Sequence, residues 1–181
     1  MSLKAKLVST VAAFVMVLAL MVVGVLAASQ GTIQMGGSIQ FTASDVIANV
    51  TLTSTGMTSN LNKTASYTAE TERIQETWTD LNLTFVEGTD IQVSLKVENK
   101  ATDRPLYVTF TDLPEITTAN NVTVGGVTYE KEGSQNVKEG TAVEIGASSS
   151  LTFVFTFAVT DDGNGASGDW TANVSLSNAA A

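Results

Sequence analysis

Apolar and polar residues alternate along most of the chain that follows residue 30. The clearest case is residues 90–99, where every second side chain from Ile91 to Val97 is apolar. Because successive side chains of a strand point to opposite faces, this period of two predicts β-strands that bury one face. The same pattern predicts strands near residues 39–43, 46–52, 81–85, 106–110, 143–145, 151–159 and 170–176.

No segment after residue 30 shows the long apolar period that marks an amphipathic helix. The pattern therefore predicts an all-β fold with about nine or ten short strands separated by turns. An antiparallel β-sandwich, of jelly-roll or immunoglobulin-like type, fits this spacing of strands. A chain of 181 residues is long enough to bury a core between two sheets.

Two segments are predicted to connect strands. Gly125-Gly126 lies between residues 122–124 and 127–129, and it predicts a two-residue hairpin turn because glycine tolerates positive φ. Residues 54–77 are polar and lack apolar alternation, so they are predicted to form a long connection. Within that connection, residues 69–77 are predicted to form a short surface helix.

The N-terminus has the pattern of a secretory signal peptide. Two lysines precede an uncharged apolar run at residues 11–28, which ends in small residues suited to cleavage after Ala27. We therefore expect residues 1–27 to be a hydrophobic signal helix and the mature chain to begin at Ala28. The alternative is an uncleaved membrane anchor, because the run is about as long as a bilayer-spanning helix. Both alternatives predict export, to the extracellular medium or to the cell surface.

Composition excludes several classes of chemistry. The chain contains no Cys and no His, and only 15% of its residues are charged. Disulfides, zinc ligation by Cys or His, and a nucleophile–histidine triad are therefore excluded. The 9 basic and 18 acidic residues argue against nucleic acid, whose phosphates need clustered Lys and Arg. We predict a protein that is not an enzyme, with no catalytic residues and no cofactor apart from a candidate calcium site.

That candidate calcium site is an acidic segment, residues 161–169. The segment offers oxygen ligands and contains three glycines, which permit tight turns around an ion. The candidate ligands are Asp161, Asp162, Asn164 and Asp169. Their spacing does not match an EF-hand loop, and a flexible hairpin loop is the alternative interpretation.

Two further patterns make a glycan a candidate partner. The N-glycosylation motif N-x-[ST] occurs at Asn49, Asn62, Asn82, Asn121 and Asn173. Aromatic side chains can also form a sugar-binding platform. The candidates for it are Trp78, Trp170, Tyr67, Tyr107 and Tyr129. Trp170 begins an alternating strand and therefore fits the core better than a platform.

Residues 28–43 form one alternating segment whose apolar side chains share a face. The residues predicted to make a subunit contact are Ile33, Met35, Ile39 and Phe41. Gly36-Gly37 interrupts the segment and predicts a hinge or a bulge. One interpretation is that the segment belongs to the domain formed by residues 44–181. The other is a donor strand, which completes a neighbouring subunit by β-strand addition.

These features resemble the camelysin/TasA family of secreted fibre-forming proteins. The resemblance rests on one N-terminal signal ending in small residues, an aromatic residue followed four positions later by an acid (Phe41 and Asp45), and a β domain rich in Thr and Asn. Members form biofilm-matrix fibres in Gram-positive bacteria and have archaeal pilus relatives. The resemblance implies a jelly-roll domain whose N-terminal strand completes the next subunit. A zinc protease is excluded, because a chain without His cannot carry an HExxH site.

We therefore predict a structural subunit of an extracellular filament, pilus or biofilm-matrix fibre, assembling as a homo-oligomer or homopolymer through its N-terminal segment. The alternative is a secreted or membrane-anchored β-sandwich module that binds carbohydrate or another surface. In either case only the N-terminal segment would contact a membrane.

Overall fold

The structure, a computed structural model, describes residues 32–55, 61–86, 90–117, 122–159 and 167–179. Every regular element in these ranges is a β-strand, which confirms the predicted all-β class. The strands are β1 (Thr32–Thr55), β2 (Asn62–Trp78), β3 (Leu83–Val86), β4 (Ile91–Asn99), β5 (Leu106–Thr117), β6 (Val122–Glu130), β7 (Ser134–Asn136), β8 (Ala142–Ile145), β9 (Ser150–Val159) and β10 (Ser167–Ser177).

Strand β1 organises the sheet because both of its edges are hydrogen-bonded. Along one edge, its first half pairs with β10 and its second half pairs with β4. Along the other edge it pairs first with β3 and then, over most of its remaining length, with β2. The full order is β7-β6-β9-β4-β1-β10-β5-β8, with β2 and β3 attached to β1.

The sheet is mixed, because β1 and β10 run parallel while the other pairs are antiparallel. A wholly antiparallel arrangement, as expected from the sequence, is therefore wrong at this pair. Strands joined by a tight turn must pair in opposite directions. Strands β1 and β10 lie at opposite ends of the described chain, so no tight turn joins them. They can therefore pair in parallel.

The sheet curls so that strands far apart in its order face one another. The Phe110 ring of β5 lies 5.3 Å from the Phe153 ring and 5.8 Å from the Phe155 ring of β9, although β4, β1 and β10 separate these strands in the sheet. The ribbon of β1 and β2 bends in the same way. As a result, Lys63 near the start of β2 donates a hydrogen bond to the carbonyl of Thr79, just beyond its end.

The predicted apolar faces form the core. They are buried on the central strands as the alternation requires, with polar neighbours facing outward. The fully buried members include Val50, Leu52, Ile91, Val93, Leu95, Val97, Val108, Phe110, Phe153, Phe155, Phe157 and Trp170. The period-two interpretation of these strands is confirmed.

Two predicted connections are wrong. Residues 62–77 belong to β2, because β1 supplies hydrogen bonds along that strand and its outward positions are polar. No helix forms there: pairing with β1 overrides the low β-propensity of its glutamates. Gly125-Gly126 makes no hairpin, since both halves of β6 pair with β9. A register shift between Val124 and Val127 makes this site a β-bulge, with Gly126 at φ 99°.

Asn99 fastens the end of β4 to two neighbouring segments. Its side chain is 3% exposed, and its Nδ2 donates to the carbonyls of Arg104 (2.9 Å), Gly146 (3.1 Å) and Ile145 (3.3 Å). Its Oδ1 accepts from the backbone N–H of Ala101 at 3.0 Å. This one amide therefore satisfies four backbone groups next to the end of β4.

We expect Asn99→Ala to lower the free energy of unfolding by about 1–3 kcal/mol, because it leaves buried backbone groups unpaired. Urea denaturation measures the change. Asn62→Ala, at the exposed start of β2, is the matched control and should change stability by less than about 0.5 kcal/mol. Equal effects from both variants would contradict the assigned role of Asn99.

Candidate functional site

The described part of the predicted donor segment, residues 32–43, is called the arm together with the next residue, Ser44. It is an interior strand. Residues 34–44 pair in parallel with β10, while residues 32–35 and 39–44 pair antiparallel with β3 and β2. Between these contacts, the Leu81 N–H donates to the Gly37 carbonyl at 3.0 Å. The backbone of the arm is thus engaged on both edges.

Three of the four side chains predicted to make a subunit contact point into the core of this chain. Met35 is 1% exposed, and Ile39 and Phe41 are 0% exposed. Ile33 pairs through its backbone with Phe85, and its side chain lies outside the described set. The contact of these residues with another subunit stays a prediction.

Aromatic residues of β2 enclose Phe41. The Trp78 ring meets it edge-on at 4.8 Å between ring centroids, and the Tyr67 ring lies at 6.1 Å. Trp78 Nε1 donates to a Glu76 carboxylate oxygen at 2.8 Å. Burial, and then the neighbouring Glu76, raise the pKa of Tyr67 far above its ordinary value. The buried Tyr67 hydroxyl forms no hydrogen bond with any described residue, so Glu76 affects its pKa through proximity alone.

The glycine pair of the arm serves close packing. A Cβ on Gly37 would lie 2.1 Å from Trp170 Nε1 and 2.7 Å from the Leu81 carbonyl oxygen. A Cβ on Gly36 would lie 2.4 Å from a carboxylate oxygen of Asp169. Neither glycine has positive φ. The hinge predicted at Gly36-Gly37 is therefore wrong. Glycine is required at both positions because the side chains of Asp169 and Trp170 in β10 leave no space for a Cβ.

The irregularity of β1 lies instead at Asp45, where the arm ends. The register with β2 shifts between Ser44 and Val46, and Asp45 has φ 55°, a left-handed conformation that is uncommon outside glycine. Its carboxylate accepts a hydrogen bond from Asn178 and lies 3.7 Å from the Arg104 guanidinium. Sequence analysis missed this site, since its partners are distant in the chain.

Of the candidate calcium ligands, the structure describes Asp169 alone. Asp169 is exposed on β10, opposite Gly36 of the arm. Asp161, Asp162 and Asn164 lie outside the described residues. Within the described ranges, no three acidic side chains are grouped closely enough to hold a metal ion. Calcium binding at residues 161–169 stays a prediction.

The candidate glycan contacts are dispersed. Trp78, Trp170 and Tyr67 are buried, so they form no surface platform, whereas Tyr107 and Tyr129 are half-buried. Among the N-x-[ST] sites, Asn62 and Asn82 are exposed, while Asn173 donates a hydrogen bond to Asp112 and Asn49 is the strand partner of Glu98. Asn121 lies outside the described residues.

No protein-family model matches the chain, and no curated protein is similar to it. Within the described residues, no helix is long and apolar enough to cross a membrane. Residues 1–27, predicted to be the signal helix, lie outside the described residues.

Proposed function

We propose that the protein is a structural subunit of an extracellular filament, pilus or biofilm-matrix fibre, in which the arm of one copy occupies the arm position of the next. One observation carries the proposal: the arm is an interior strand that continues into the rest of β1 only through the irregular residue Asp45. Its parallel partner β10 comes from the other end of the described chain. The arm of a second copy can therefore make identical contacts, as in strand exchange.

The contacts of the arm are strong enough to hold subunits together. Burying each of Met35, Ile39 and Phe41 contributes about 1.5–3 kcal/mol, and backbone hydrogen bonds on both edges add to this. Exchange between copies conserves these contacts, so it costs little free energy beyond association. A head-to-tail exchange whose rotation does not close into a ring extends into a homopolymer.

The finer architecture forms part of the proposal. We infer a two-layer β-sandwich of jelly-roll type, in which β1 and β2 pass from one layer to the other at Asp45. The contact between the Phe110 and Phe153 rings supports it, since they come from strands that would lie in opposite layers. A cleaved signal at residues 1–27 would deliver this domain outside the cell. The resemblance to the camelysin/TasA family implies the same organisation.

A competing peptide tests the proposal on the exported protein. We expect a synthetic peptide of residues 28–44, added in excess during assembly, to cap subunits and shorten filaments in electron micrographs and light scattering. The control peptide carries Ile39→Asp and Phe41→Asp, which cannot enter the core, and it should leave filament length unchanged. Filaments of undiminished length with the first peptide would contradict arm exchange.

A chain that stays monomeric at high concentration would contradict the filament itself. That outcome would favour the alternative function, a secreted or membrane-anchored module that binds carbohydrate or another surface.

A further inference from the structure

One outer face of the curled sheet is formed by β2, β1, β4, β9 and β6, and we call it the hydroxyl face. Strand pairing aligns its side chains in rows across the strands. The rows are Ser66–Asn49–Glu98–Ser150, Thr64–Thr51–Lys96–Thr152, Asn62–Thr53–Ser94–Val154–Thr128 and Thr55–Gln92–Thr156. Every member is exposed or half-buried.

The hydroxyl face carries few charged side chains, although the chain has a net charge of −9. Its charged members are Lys96 and Glu98, which form an ion pair at 2.8 Å, and Glu130 at the end of β6, which is exposed. The hydrogen bond from Lys96 holds the pKa of Glu98 below its ordinary value, so this carboxylate stays ionised beside the lysine. Exposed surfaces of soluble proteins normally carry many charged side chains of both signs.

The opposite outer face provides the contrast. It is built by β2, β1, β10, β5 and β8, whose outward positions also align across the strands. Carboxylates are spread over it at Asp112, Glu115, Glu144 and Asp169. The depletion of charge is therefore confined to one face and does not follow from the composition of the chain.

The groups on the hydroxyl face suit a ligand that itself consists of hydroxyls. Side-chain hydroxyls and amides both donate and accept hydrogen bonds. Neighbouring strands place them about 4.8 Å apart, and successive rows lie about 6.7 Å apart along each strand. A groove of about 590 Å³ borders the face, lined by Gln92, Thr128, Glu130, Thr152 and Thr156, among others. Tyr129 donates its hydroxyl hydrogen to Gln135 at 2.8 Å there.

We propose that the hydroxyl face binds a neutral polysaccharide chain. The rows and the groove would hydrogen-bond to sugar hydroxyls, while Val154 would contact the apolar face of a sugar ring. A polyanion would be opposed by the acidic chain, and a polycation would prefer the carboxylate-bearing face. Charge complementarity thus selects a neutral partner. The proposal goes beyond filament assembly, because the face does not include the arm.

Co-sedimentation tests the proposal with the exported protein and three probes: microcrystalline cellulose, chitin and, as the polyanion, cross-linked polygalacturonate. We expect retention on at least one of the two neutral probes and none on the polyanion. A variant with Thr51→Val, Thr53→Val and Thr152→Val keeps shape and strand propensity but loses hydroxyls, and its affinity should fall at least tenfold. The control carries Thr77→Val, Thr111→Val and Thr171→Val on the opposite face and should stay within twofold.

Several outcomes would overturn the proposal. The first is no retention on either neutral polysaccharide by a protein whose thermal melting shows it to be folded. The second is equal loss of binding in both triple variants. The third is a self-association, seen by sedimentation velocity, that only the first variant abolishes while neither neutral probe is bound. The face would then be a contact between copies of the chain.

Discussion

Phe155→Ala should lower the free energy of unfolding by about 3–5 kcal/mol, the cost typical of removing a buried phenylalanine. Phe155 is fully buried in β9, where its ring lies 5.8 Å from that of Phe110 and 6.3 Å from that of Trp170. Because these rings come from strands that meet only through the curl of the sheet, the cavity would weaken the contact between its two ends.

Urea denaturation with Trp fluorescence measures this change. Val154→Ala is the matched control, because Val154 is the next residue of the same strand and faces outward, half-buried. It should cost less than about 1 kcal/mol. Equal and small effects from the two variants would contradict the burial of Phe155 in the core.

Gly37→Ala should also be strongly destabilising, by about 1–3 kcal/mol or more, although alanine is only one methyl larger. The new Cβ would meet Trp170 Nε1 at 2.1 Å and the Leu81 carbonyl oxygen at 2.7 Å. The carbonyl belongs to backbone that is itself bonded to Gly37, and the indole is fully buried, so neither can move away cheaply. The arm would have to shift out of register with β10.

The control for this substitution is Gly125→Ala. A Cβ at Gly125 would lie 3.5 Å from its nearest neighbours, which is ordinary contact, and its φ is not positive. We expect its melting temperature to stay close to that of the parent, while Gly37→Ala melts several degrees lower and assembles poorly. A normal melting temperature for Gly37→Ala would contradict the packing of the arm against Trp170.

The strands with clear alternation could be predicted from the sequence because burial on one face leaves a period of two. Strand β4 shows this most plainly, with Ile91, Val93, Leu95 and Val97 inward. Strand β2 could not be predicted in the same way. Most of its residues are polar, so its sequence shows no clear period of two in hydrophobicity. It forms a strand because β1 pairs with it.

The geometry around the arm depends on contacts between residues far apart in the chain. Sequence spacing indicates that Met35, Ile39 and Phe41 share a face, but it does not reveal that β10 runs parallel beside them. The Gly36-Gly37 pair suggested flexibility, yet the reason for its glycines is the side chains of Trp170 and Asp169. Local patterns predict which face is buried, whereas the partner of each edge is decided by the whole fold.

Disulfide trapping between neighbouring strands tests arm exchange most directly, because the natural chain has no Cys. Thr42 of the arm and Ser175 of β10 are directly paired, and residues paired across neighbouring strands are close enough to be joined by a disulfide. One tagged protein would carry Thr42→Cys, a differently tagged one Ser175→Cys, and the two would be assembled together and oxidised. The control pair, Thr53→Cys and Ser94→Cys, joins β1 to β4 outside the arm.

We predict covalent heterodimers of the two tagged chains from the Thr42 and Ser175 variants, and none from the control pair. The double variant Thr42→Cys/Ser175→Cys should give a ladder of covalent multimers on denaturing gels. Assembled protein in which that double variant yields only internally bonded monomers would contradict exchange of the arm.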